Sequence, residues 1–223
     1  MIVDSMTDLE VYHELARDRE GVTTWWEHQL EAQRRRALKT RKFPLLLWFD
    51  YTSPRRVRYL FNTRIYDRKM RQILTGIIAL RRMPDGFAAY TTWTGKQQCI
   101  RPMVLTPHML KRYAERCHIE KTGIDLIRHF FEHNYQGIDS RNNLAMGKSV
   151  RWNGESHQSC SVVDGVMLGQ MNGAIYVVRT FVTYDMCGGT QREEFEGKRD
   201  QLLNDDAYCQ KLDIYYRIKD YLP

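Results

Sequence analysis

The chain has 223 residues, of which 43% are hydrophobic and 27% charged, a composition typical of globular proteins and unlike that of disordered or collagen-like chains. No stretch approaches the roughly 20 consecutive apolar residues that span a bilayer, and the acidic, polar start of the chain predicts no secretory signal. Five widely spaced cysteines without a CxxC pair favour reduced thiols, so we expect a cytoplasmic protein with no membrane partner.

The positive charge is concentrated in one part of the sequence. The net charge is +7, but residues 34–116 hold 20 Lys and Arg against 4 Asp and Glu, a local balance of +16. Residues 117–223 are slightly acidic, with 12 basic and 15 acidic side chains. Such an asymmetry is typical of proteins that bind nucleic acid or another anionic surface.

The N-terminal part is predicted to be mostly helical. Residues 8–42 favour helices, with an interruption at Gly21 and a basic C-terminal end. The apolar run from Leu45 to Tyr51 predicts a strand. Residues 55–82 are predicted as a helix, although their apolar period is irregular. We therefore expect a basic, mostly helical region over 1–84, packed on an α+β domain over 85–223 or continuous with it.

The remaining elements predict an α+β fold whose sheet is mainly antiparallel, with a central helix pair and C-terminal helices. Thr106-Pro107 is a strong helix start, because Thr can cap the helix and Pro suits its first position. Asp164-Gly165 and Asn172-Gly173 are typical hairpin turns. The predicted elements are a hairpin of 87–94 and 96–105 around Thr94-Gly95, helices at 106–117 and 122–134, strands at 157–163, 166–170 and 174–184, and helices at 190–204 and 206–221.

Cations alternate with aromatic side chains in the basic region, and this mixture is typical of proteins that hold single-stranded nucleic acid. The aromatic residues are Trp48, Phe49, Tyr51, Tyr59, Phe61 and Tyr66. We expect a nucleic-acid partner, with RNA favoured over DNA. The predicted phosphate-binding residues are Arg34, Arg35, Arg36, Lys39, Arg41, Arg55, Arg56, Arg58, Arg64 and Arg68.

The predicted helix at 106–117 carries a polar stripe of His108, Arg112 and Arg116, spaced four residues apart. The positive end of the helix dipole and Arg112 would keep His108 neutral, as a general base requires. The two arginines could stabilise charge that develops on phosphorus. This combination suits RNA cleavage without a metal or other cofactor.

With the strands that follow it, this His-x-x-x-Arg-x-x-x-Arg helix resembles toxin ribonucleases of the RelE/BrnT type, in the barnase–EndoU–colicin–RelE class, over about residues 104–191. The resemblance implies an endoribonuclease, and a cognate protein inhibitor is compatible with it. It also implies that strand residues complete the site, here Arg179, Thr180 or Tyr184.

Two other functions remain open. The chain could be a non-catalytic RNA- or DNA-binding or assembly module of a mobile element or defence system. Alternatively, His129-x-x-Glu132-His133 matches the H-x-x-E-H pattern of zinc hydrolases, in which two histidines bind the metal and the glutamate activates water. A third ligand would then come from Glu193 or Glu194.

Overall fold

The computed structural model describes residues 2–71, 73–92, 102–134, 150–152 and 155–212, and it places the side chains of all of these except 150–156 and 205–212. No helix among these residues is long and apolar enough to cross a membrane.

The described part of the chain contains five α-helices, nine strands and one turn of 3-10 helix at Tyr184–Met186. The helices are α1 (Asp8–Ala32), α2 (Arg34–Lys39), α3 (Pro107–Arg116), α4 (Gly123–His133) and α5 (Gly189–Leu212). The strands are β1 (Leu45–Thr52), β2 (Arg58–Ile65), β3 (Ile73–Met83), β4 (Gly86–Thr92), β5 (Met103–Leu105), β6 (Val150–Trp152), β7 (Glu155–Val162), β8 (Gly165–Asn172) and β9 (Ile175–Val182).

All nine strands form one sheet in the order β1-β2-β3-β4-β5-β9-β8-β7-β6. An N-terminal meander and a C-terminal meander therefore meet at β5 and β9, which are the one parallel pair among these strands. The α+β prediction with a mainly antiparallel sheet is confirmed. Because β3 pairs with β4, the sheet continues across residue 84, the predicted end of the basic region.

Helices bury both faces of the sheet. On one face α1 packs Val11 and Leu15 against Tyr59 of β2. On the other face α3 and α4 contribute Met109 and Ile127 to the largest core cluster. Successive residues of a strand point to opposite faces, so strands covered on both sides are apolar at nearly every position.

This double burial explains why the predicted helix over 55–82 is wrong. In β2, Tyr59 and Phe61 face α1, whereas Leu60 between them joins the cluster beneath α3 and α4. Because both sets are apolar, the alternation typical of a half-exposed strand is absent from the sequence. The segment forms β2 and β3, joined by a short turn.

The other elements agree with the sequence except at three places. Thr106 caps α3 through its hydroxyl, which accepts from the backbone nitrogen of Met109 at 3.2 Å, and both predicted C-terminal hairpins are confirmed. However, α1 continues through Gly21, and α5 is one helix rather than two up to Leu212. Ile77–Met83, predicted up to residue 82 within a helix, pair with β4 instead. The predicted turn at Thr94-Gly95 and the end of the last helix lie outside the described residues.

Candidate nucleic-acid interface

The short helix α2 is fixed to the core by one side and presents cations on the other. Ala37 is fully buried in a cluster with Leu47 and Ile65. Thr40 ends the helix, and its hydroxyl donates to the carbonyl of Arg36 at 2.9 Å. With Ala37 inward, the remaining side chains of this turn-and-a-half of helix face outward. The exposed cations of α2 are Arg34, Arg35, Arg36 and Lys39, and the following Arg41 and Lys42 are exposed as well.

The turn between β2 and β3 brings two more cations to the same place. The carboxylate of Asp67 accepts from the backbone nitrogens of Lys69 at 2.8 Å and Arg71 at 2.9 Å, which orders the turn. Met70 is buried in the cluster that holds Ala37. Nε of Arg68 donates to the carbonyl of Thr40 at 3.2 Å, which joins the turn directly to the end of α2.

Seven of the exposed cations on α2, the residues that follow it and the adjoining turn form what we call the α2 surface: Arg35, Arg36, Lys39, Arg41, Lys42, Arg68 and Lys69. The nearby carboxylates are paired elsewhere, Glu31 with Arg34 at 3.0 Å and Asp67 with Arg71 at 3.6 Å. Within the part of the chain that the structure describes, none of the seven forms an ion pair with a carboxylate, so no described carboxylate neutralises their charges.

The other predicted phosphate-binding residues are divided between two ends of the β1–β2 hairpin. Arg55, Arg56 and Arg58 lie at the turn opposite the α2 surface, separated from it by the eight residues of β2, roughly 23 Å. Arg55 is 3.4 Å from a carboxylate oxygen of Asp18, and Arg58 pairs with Asp50 at 3.3 Å. The basic segment of the sequence is therefore not one continuous binding stripe.

Arg64 is not available to a partner. Its side chain is 6% exposed, and Nη2 donates to the backbone carbonyl of Glu132 at 2.8 Å, at the C-terminal end of α4. Nη1 donates to the side chain of Asn62. Arg64 thus satisfies carbonyl groups that a helix end leaves without partners.

Two of the six aromatic residues that were predicted to stack on bases are buried. Tyr59 and Phe61 are 2% and 0% exposed and pack beneath α1. Phe49 is half-buried against the same cluster, and Tyr66 interacts with another group of the protein. The prediction that these rings stack on bases is wrong for Tyr59 and Phe61, because a base cannot reach them.

The predicted catalytic stripe on α3 faces away from the sheet at its start. Met109, Leu110 and Tyr113 form the buried face, whereas His108 and Arg112 are exposed. Each step of four residues rotates around the helix by about 40°, so Arg116 turns back towards the sheet and donates to the carbonyl of Phe181. Nη1 of Arg112 pairs with Glu115 at 2.9 Å.

Two of the three strand residues of the proposed ribonuclease site lie away from this stripe. Phe181 faces α3 in the core, and its neighbour Thr180 pairs with Leu168 on the opposite face. Arg179 is exposed at a bulge in the pairing of β8 with β9. Tyr184 is buried and donates to the carbonyl of Val162, and burial raises its pKa far above the ordinary value. Thr180 and Tyr184 therefore do not lie on the face of β9 that packs against α3, and the rest of the catalytic prediction stays a prediction.

The histidines of the H-x-x-E-H pattern lie one turn apart on α4. Their ring centroids are 4.2 Å apart, and burial, followed by His133 and Lys121, lowers the pKa of His129. The carboxylate of Glu132 accepts from the indole nitrogen of Trp48 at 2.7 Å, which occupies the group that would activate water. Among the described residues, no three His, Cys, Asp or Glu side chains are grouped as a metal site would require. The proposed third ligands, Glu193 and Glu194, are exposed on α5.

Lys42 and Lys69 belong to the α2 surface but are not among the phosphate-binding residues predicted from the sequence. Lys69 was assigned to a helix, where it would not have lain beside α2. The signal that could have placed it is Asp67, since Asp followed by backbone donors two and four residues later is typical of a turn. The missed residues show that the position of the turn decides which cations group together.

No family model, curated protein or solved structure matches the chain. The resemblance of residues 104–191 to toxin ribonucleases stays a prediction, and the function must be argued from the geometry of the surface.

Proposed function

We propose that this protein binds nucleic acid, with RNA favoured over DNA, through the α2 surface. The observation that carries the proposal is the grouping of seven exposed cations, none paired with a described carboxylate, on two segments joined by the Arg68–Thr40 hydrogen bond. Five of the seven are also predicted from the sequence as phosphate-binding residues.

The physical basis is the release of counterions. A cation that is already paired with a carboxylate gains little from a phosphate, whereas an unpaired cation displaces a condensed counterion from the nucleic acid. Arg34 and Arg71, at the margin of the α2 surface, are already paired with carboxylates. Guanidinium groups favour phosphate further because they bind its oxygens in pairs, and four of the seven cations are arginines.

A binding function without chemistry fits the structure better than catalysis does. The α2 surface carries no histidine and no carboxylate that is free to act as a base. Thr180 and Tyr184, two of the strand residues proposed to complete the ribonuclease site, do not lie on the face of β9 that packs against α3. We therefore favour a nucleic-acid-binding module over a ribonuclease.

The test is the dependence of RNA affinity on salt, measured by fluorescence anisotropy. If all seven cations contact phosphates, the slope of log K against log [salt] approaches about −6, and affinity falls by about three to four orders of magnitude between 50 and 200 mM salt. Arg36→Gln with Lys39→Gln should reduce the slope by about 2. A flat plot for the wild-type protein would overturn the proposal.

Arg82→Gln with Lys111→Gln is the matched control. It removes the same charge from two exposed positions outside the α2 surface, one at the far end of β3 and one on α3. We expect this variant to keep the wild-type slope. An equal loss in both double variants would show that only net charge matters and that the α2 surface is not the interface.

A further inference from the structure

Several aromatic side chains of the basic region are partly buried and make contacts within the protein. Tyr51 stacks on Trp25, with ring centroids 4.6 Å apart and planes at 19°. Trp48 donates through its indole nitrogen to Glu132, and the guanidinium carbon of Arg128 lies 6.0 Å above its ring. Phe43, next to Lys42, packs on the cluster that anchors α2.

The exposed apolar groups of this region are aliphatic. Among the described residues, the large hydrophobic side chains that are exposed are Val3, Leu9, Leu38, Leu46, Met186 and Leu203. Leu38, on α2, is 55% exposed and is the one that lies between cations of the α2 surface. A leucine offers no flat ring on which a base can stack.

We propose that the α2 surface binds a double-stranded region of nucleic acid through its phosphates and does not bind unstacked bases. The inference rests on the proposed function and names the form of the partner. It replaces the single-stranded partner that the alternation of cations and aromatic residues predicts from the sequence.

The energetics favour the duplex for two reasons. Proteins that hold single strands gain about 1–3 kcal/mol for each base that stacks on an aromatic ring, and none of the described rings beside the α2 surface is more than partly exposed. A duplex keeps its bases stacked internally and carries one charge for every 1.7 Å or so of its axis, so a compact group of cations meets more phosphates there than on a single strand.

The shape of the surface agrees with contacts to the backbone alone. The helix α2 has six residues and is therefore about 9 Å long, and its outward side chains are mainly cations. The turn from Asp67 to Arg71 adds two cations beside it. Two short basic segments held side by side can contact phosphates of the backbone without either segment entering a groove.

The experiment compares three labelled ligands of about 20 residues or base pairs: a single-stranded RNA that contains 2-aminopurine, and duplexes of RNA and of DNA. We expect either duplex, at equal phosphate concentration, to bind at least tenfold more tightly than the single strand. The comparison of the two duplexes then shows whether the protein prefers RNA or DNA. The fluorescence of 2-aminopurine should not change on binding, because no base leaves its stack for an aromatic ring.

Two opposite results are distinguishable. Tighter binding of the single strand, with a change in 2-aminopurine fluorescence, would overturn the duplex inference and leave the proposed function intact. Absence of salt-sensitive binding to all three ligands would overturn the proposed function itself. The Arg36→Gln/Lys39→Gln variant should lose duplex affinity, and the Arg82→Gln/Lys111→Gln control should retain it.

Discussion

Arg64 and Arg68 lie four residues apart in the sequence, yet the structure gives them opposite roles. Arg64 is buried and donates to backbone carbonyls at the end of α4, whereas Arg68 is exposed on the α2 surface. We predict that Arg64→Met destabilises the fold and leaves nucleic-acid affinity unchanged. Arg68→Met should weaken binding and leave stability nearly unchanged.

The magnitudes follow from the contacts. Methionine replaces the aliphatic stem of Arg64 but none of its hydrogen bonds, and it leaves the carbonyl of Glu132 without this donor. The loss of a hydrogen bond from a charged group, together with an unsatisfied acceptor, costs about 3 kcal/mol. For a chain of this length the midpoint of thermal unfolding should fall by about 6–12 °C. Arg68 makes one exposed hydrogen bond, to Thr40, so its replacement should cost no more than about 0.5 kcal/mol.

Thermal unfolding and salt-dependent anisotropy, measured on the same preparations, test both halves. Arg68→Met should reduce the slope of log K against log [salt] by about 1. If Arg64→Met reduces the slope as much at a temperature where it is fully folded, Arg64 reaches the partner and its assignment to the core is wrong. If Arg64→Met is as stable as the wild type, its hydrogen bonds to α4 contribute nothing.

Three further predictions concern residues outside the α2 surface. Because the pKa of His129 is lowered in the folded protein, unfolding takes up a proton below about pH 6.5, and the free energy of unfolding should fall from pH 7.5 to 5.5. His129→Gln should lessen the fall of the urea midpoint over this range. An unchanged fall would contradict the assigned direction of the pKa shift. Tyr113→Phe removes a hydroxyl that donates to Asp164 at 2.7 Å, and we expect a loss of about 1–2 kcal/mol in urea unfolding; a neutral result would show that water replaces the contact. Purified protein should leave an RNA pool intact in EDTA, and cleavage that disappears in His108→Ala would instead restore the ribonuclease hypothesis.

The features that local chemistry determines were predictable from the sequence. Thr106-Pro107 begins α3 because a capping hydroxyl and a proline at the first helical position serve that helix wherever it packs. Asn172-Gly173 leads into β9 because Gly173 adopts the positive φ of 60° that a tight hairpin turn requires. Neither feature depends on a distant part of the chain.

The features that depend on tertiary packing were not predictable. The region 58–83 lacks a clear period because α1 covers one face of its strands and α3 and α4 cover the other. The stripe on α3 suggested a catalytic face, but its start faces solvent and its end bonds to β9. In both cases the sequence contains the residues but not the neighbours that decide their roles.

The charge of the basic region also depends on tertiary packing, because some of its arginines are buried. Arg64 donates to carbonyls of α4, and the buried Arg81 donates to the carbonyls of Val3 and Asp4. These arginines count fully in the +16 balance of residues 34–116, yet they donate hydrogen bonds to backbone carbonyls inside the protein. A guanidinium group can fill either role, because its several donors suit carbonyl oxygens as well as phosphates. The number of cations therefore overstates how many a phosphate could reach, and what identifies the α2 surface is that its cations are exposed together and form no ion pair with a described carboxylate.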